Sequence, residues 1–140
     1  MAAVDLNTVR STIEARLATE LATSPAIPVL FNNMTFDSTS EDTFVQCLTS
    51  FGSHEYLTQG DTTNAFNNII GLVILNIFTE EGIGAGANYT IGKRLRDLYN
   101  RVTVSNVIFD SPIGPEVLTS SPEGKFQTQI RITFNIYEDL

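Results

Sequence analysis

Apolar residues near the start of the chain recur at helical spacing. Leu6, Val9, Ile13, Leu17 and Leu21 are separated by steps of 3, 4, 4 and 4, which puts them on one face of a helix. Arg10, Glu14, Arg16 and Glu20 take the other faces. The spacing predicts two i,i+4 ion pairs, Arg10–Glu14 and Arg16–Glu20. Asp5 or Asn7 can cap the start, and Ser24-Pro25 stops the helix.

Beyond it the period changes from helical to two. Residues 25–42 read as loop, with a short strand around 29–31 at most. Residues 43–51 alternate as a strand, 52–67 form a polar loop, and 68–78 are β-branched and apolar enough for a long central strand with Gly71 as a bulge. A glycine-rich segment over 79–86 opens a second helix, about 87–101, with Ala87, Ile91, Leu95, Leu98 and Tyr99 as its inner stripe. Residues 102–109 alternate as one strand. Residues 110–124 hold three of the five prolines and read as a long excursion. Residues 125–137 close the chain in strict alternation, with Phe126, Thr128, Ile130, Ile132, Phe134 and Ile136 on one side. No crossover helix separates the last two strands, so they should pair antiparallel. The expected class is α+β: a single domain with one mainly antiparallel or mixed sheet and two helices on its apolar face.

Charge narrows the functional field. With 8 basic and 16 acidic residues the net charge is −8, the wrong sign for reading nucleic acid through phosphates. Single Cys47 and single His54 exclude an intrachain disulfide and the common cysteine- or histidine-rich metal sites. No apolar run approaches the ~18 residues that span a bilayer. The first residues lack the basic and apolar regions of a signal peptide, so a cytosol-like compartment is expected. No metal or cofactor is expected.

Gly82-Ile83-Gly84-Ala85-Gly86-Ala87 fits G-x-G-x-x-A between a strand and a helix, the setting of a dinucleotide fingerprint. Glu80 and Glu81 directly precede it, where a pyrophosphate would meet negative charge. The chain also has too few alternating strand–helix units for a doubly wound sheet, so a plain strand-to-helix loop is the better reading. Gly92-Lys93 is followed by Arg94 rather than Ser or Thr, so it is no P-loop. His54-Glu55 beside Tyr56 reads as polar loop rather than an acid–base pair, and Cys47 reads as a small buried hydrophobe. The second helix is more informative. Lys93, Arg94, Arg96 and Arg101 supply half the basic residues, and they form either a solvated face or a contact with acidic residues of another copy, Glu80 and Glu81 among them. Unlike surfaces meeting head to tail give heterologous contacts, which close into rings.

The order of phrases is itself suggestive: VRSTIEARLATEL, then TFVQCLTSFGSHEYLTQG, NNIIGLVILNIF, a helix ending RLRDLYNR, and VTVSNVIFD and FQTQIRITFNIYEDL around the Pro-rich SPIGPE. Over nearly its whole length the chain resembles the tail terminator, or tail completion, proteins of long-tailed bacteriophages, the minor tail protein U type. The resemblance implies a non-enzymatic virion protein, made in the host cytoplasm, with no catalytic residues to carry over. Six copies would form a ring on the last ring of tail tube protein, ending its growth and facing the head–tail connector. DNA would pass through the hole without specific binding, which an acidic wall suits. Loops carrying His54, Glu55, Tyr56, Asp61, Ile113 and Glu116 would contact partners. Another neck or tail-tube component is the nearest alternative. A small nucleotide-binding domain using Gly82, Gly84 and Gly86 is the alternative of a different class.

Overall fold

The computed structural model describes residues 4–23, 25–34, 41–58, 66–119 and 121–139. Two helices and a seven-stranded sheet form an α+β fold. The elements are α1 (Leu6–Glu20), β1 (Val29–Leu30), β2 (Phe44–Tyr56), β3 (Phe66–Glu80), α2 (Gly86–Tyr99), β4 (Thr103–Val104), β5 (Val107–Phe109), β6 (Ile113–Leu118) and β7 (Lys125–Asp139). The sheet runs β1-β2-β3-β7-β5-β4, with β6 also paired to β7. β1 lies parallel to β2, and every other pair is antiparallel.

Asp5 is the cap of α1, its carboxylate accepting the Asn7 N–H at 3.0 Å. Val9, Ile13, Leu17 and Leu21 are buried as their spacing predicts, while Leu6 remains exposed. Arg10 meets Glu14 at 2.9 Å. The second predicted pair does not form. Arg16 instead donates to the Leu98 carbonyl at 3.0 and 2.8 Å, and Glu20 pairs with Arg94. A solvated i,i+4 pair contributes only a few tenths of a kcal/mol, less than satisfying the free carbonyls of a half-buried helix end.

Both helices cover the same face of the sheet. Val45 and Cys47 of β2, Ile69, Val73, Leu75 and Ile77 of β3, and Ile130, Ile132, Phe134 and Ile136 of β7 form one core with α1 and with Ile91, Leu95 and Tyr99 of α2. Each such side chain contributes about 1.5–3 kcal/mol when fully buried. An edge-to-face series, Tyr99–Phe109 at 5.0 Å, Phe109–Phe134 at 6.3 Å and Phe51–Phe134 at 5.8 Å, closes one end of this core. Gly71 is no bulge. It lies under the Phe134 ring, where a Cβ would come within 2.1 Å of Cζ. The register shift is on β2, between Phe51 and His54.

Among the described residues no helix covers the second face. Gln46, Asn76 and Gln129 join across three strands there, Asn76 donating to Gln46 at 3.0 Å and Gln129 donating to Asn76 at 2.9 Å. Leu48, Ile70, Leu72 and Ile74 stand half-exposed on that side, and Arg131 and Thr133 are open to solvent.

Three other expectations change. Residues 102–109 are a hairpin rather than one strand, because Ser105 and Asn106 both take positive φ (48° and 70°), the geometry of a two-residue turn that matches strand twist. The predicted excursion contains β6, which continues the line of β5 along β7, from Val107 opposite Ile136 to Leu118 opposite Gln127. An outer strand tolerates Pro115, which would break a central one. Finally, β2 runs on to Tyr56 through residues too polar to announce a strand, held by pairing His54 with Ile69 and Tyr56 with Asn67.

Candidate interaction surface

Two arginines staple the helices to each other. As α1 and α2 pass in opposite directions, each offers its last-turn carbonyls to an arginine of the other. Arg16 takes Leu98 O; Arg94 takes the Glu20, Thr23 and Pro25 carbonyls and the Glu20 carboxylate at 2.9 Å. A cation at a helix C-terminus is favoured by the unsatisfied carbonyls and by the macrodipole. The Tyr99 hydroxyl adds a third tie, donating to Ile13 O at 2.9 Å. Burial holds the Tyr99 phenol protonated far above its ordinary range, and burial likewise pushes the Cys47 thiol up to about 12.

Arg94 is therefore removed from the set of surface cations that the sequence grouped together. Lys93 is exposed but pairs with Asp97 at 2.6 Å. Arg96 and Arg101 are exposed and have no hydrogen bond or ion pair among the described residues. Arg101 lies just past α2 at φ 56°, outside the helical line. At the other end of α2, Asn88 is buried in place of the predicted Ala87, which is exposed. Its side chain meets Thr79 Oγ1 at 2.6 Å and donates to Ile77 O at 3.2 Å, fixing the helix start to β3.

Around that start the surface is acidic. Glu80 and Glu81 are exposed, Glu81 N–H binds Gly124 O, and Lys125 reaches Glu41 O, which brings Asp42 and Glu123 to the same end. None of the carboxylates of Glu41, Asp42, Glu80, Glu81 and Glu123 has an ion pair among the described residues. About 15 Å of helix rise separates this end from Arg96, and Arg101 lies past the far end of the 14-residue helix.

Gly82 and Gly84 take positive φ (95° and 90°) in an exposed turn. The strand before them, β3, has antiparallel neighbours on both sides. A dinucleotide fingerprint sits in a parallel βαβ unit, and this turn does not.

His54, Glu55 and Tyr56 lie on β2, not in a loop, and are exposed. Asp61 lies outside the described residues. Ile113 and Glu116 lie on β6, Glu116 pairing with Arg131 at 2.9 Å. The sequence reading missed Glu138. This residue of β7 is 6% exposed; its carboxylate accepts the Val4 N–H at 2.9 Å and has His54 Nε2 at 3.7 Å. Its alternation with Tyr137 placed it on the covered face, but nothing in the sequence paired it with Val4 across the length of the chain.

The fold has solved precedents. Of 13 solved chains that match, one aligns over 96% of this chain and 96% of its own, with a TM-score of 0.69 at 14% identity. At that identity the likeness is one of fold. No protein-family model matches the chain, and no curated protein does. Among the described residues no helix is long and apolar enough to cross a membrane.

Proposed function

We propose that this chain is a structural virion protein of the tail terminator type, which closes into a ring on the end of a tail tube and offers its other side to the head–tail connector. The observation that carries the reading is the separation of unpartnered charge. Arg96 and Arg101 lie at one end of α2, and Glu80, Glu81 and Glu123 lie at the other, too far apart to meet within one molecule. Unlike surfaces at opposite ends are what a heterologous, ring-closing contact requires, and charge sets its register and partner choice. The order of elements that carried the resemblance supports the same reading.

Mass in solution, alone and with tail tube protein, tests it. Rings of a fixed copy number that dissociate as salt rises are expected, and a monomer under both conditions overturns the proposal. Negative-stain images distinguish the nearest alternative, since a tube component grows into long cylinders and a terminator stops at single rings.

A further inference from the structure

Beside α1 lies a cavity of about 330 Å³ whose walls include Val4, Leu6, Phe51 and Ile69, with Glu138 and His54 as its acidic and basic lining. We infer that this pocket receives a cationic side chain, and that a second copy of the chain supplies it from the arginine end of α2. The supplier rests on the ring reading above but takes Arg96 and Arg101 to Glu138 in place of Glu80, Glu81 and Glu123. The two acidic places are far apart, because Glu80 pairs with Lys125 at one end of β3 and β7 and Asn67 pairs with Glu138 near the other. The chemistry of the pocket does not rest on that reading.

The Glu138 side chain is 8% exposed, and a buried carboxylate is costly unless its oxygens are hydrogen-bonded and its charge is matched. Its oxygens have about four acceptor positions. Val4 N–H fills one at 2.9 Å, and the Asn67 amide stands at 3.5 Å, the limit of a hydrogen bond. His54 Nε2, at 3.7 Å, is too distant to donate. Among the described residues Glu138 thus has acceptor capacity in excess of donors, which a guanidinium with its five N–H groups matches.

The walls point to the same guest. Arginine buries an alkyl stem against apolar surface while its head seeks charge, and four apolar side chains line this entrance. Leu6 is 45% exposed here, and the exposed Tyr56 stands on the His54 side of the cavity, its ring centroid 6.2 Å from that of His54. Large exposed apolar and aromatic residues around a charged pocket are the anatomy of a contact centre that excludes water. Arg96 and Arg101 are the guanidinium groups without an internal partner among the described residues, which makes the second copy the complementary occupant.

Glu138→Gln removes the charge and keeps an oxygen for Val4 N–H. Ser53→Trp blocks the rim from an exposed position without deleting an internal contact of Ser53. Both variants are checked for an unchanged melting transition and weighed by mass at low salt. Association weakened about tenfold or more by Glu138→Gln, by Ser53→Trp and by Arg96→Ala/Arg101→Ala, with no further loss on combining the first and last, supports the inference. Rings that form equally well with both pocket variants overturn it and leave the ring reading standing. NMR titration with n-butylguanidinium chloride separates the two claims. Signals of Ser53 and Ile69 that move in the native chain but not in Glu138→Gln support the cation pocket. Signals that stay in place overturn it. A chain that takes the probe yet remains monomeric with tube protein overturns the second copy as supplier and the ring reading with it.

Discussion

The two faces of one sheet follow different rules. Under the helices, Val73, Leu75, Ile130, Ile132 and Phe134 are fully buried and held by shape. On the uncovered side, cross-strand amides and half-exposed aliphatics do the pairing, Gln46–Asn76–Gln129 at the centre. Close packing makes the first face intolerant of volume change, whereas cross-strand pairs on the second contribute tenths to about 1 kcal/mol each and are replaceable. The contrast separates where the fold is decided from where the surface is free to serve another purpose.

The largest expected effect tests the covered face. Phe134→Ala should lower the unfolding free energy by about 3–5 kcal/mol, read from the urea midpoint, while Ser50→Ala on the open face should stay within about 0.5 kcal/mol. Comparable losses at both sites would erase the distinction. Next come two arginines two positions apart on α2. Arg94→Met should cost about 2–3 kcal/mol, because it strips the α1 C-terminus of its donors, and Arg96→Met should leave the melting transition in place. A smaller loss, about 1–2 kcal/mol, is expected for Asn76→Ala, with Gln46 and Gln129 each losing a partner.

The last prediction concerns protons on the covered side. The Cys47 thiol is pushed from 9.0 up to about 12 by burial, and burial raises Tyr99 as well. In that window the folded chain holds protons that the unfolded chain has released, so stability is fully present below pH 9.0 and declines as pH rises toward about 12. Urea midpoints across this range should fall, and Cys47→Ala should flatten the slope. A thiol reagent should label Cys47 only after unfolding, since the buried group is neither ionised nor reachable.

What could be read without coordinates follows the same division. α1, the centres of β2 and β3 and nearly all of β7 announce themselves because burial imposes a period that local sequence must obey. The misses lie where a distant partner decides. Residues 52–56 are strand only because β3 lies beside them, and Ile113 to Leu118 only because β7 does. Arg94 looked like its neighbours on a basic face, and only the end of α1 distinguishes it. Glu138 and Val4 are joined through 134 positions of sequence, a pairing no local spacing encodes.

The borders of the sheet carry a consequence for how copies can join. β1 and β4 have two residues each, and β6 is interrupted by a register shift beside Pro115. The β4 and β6 border is too short and broken for an incoming strand to zip onto, whereas β1 covers only Val45 and Gln46, so the rest of β2 is a long border among the described residues. Backbone pairing between copies is thereby steered to the β2 border, and the β4 and β6 side is left to meet a neighbour through side chains.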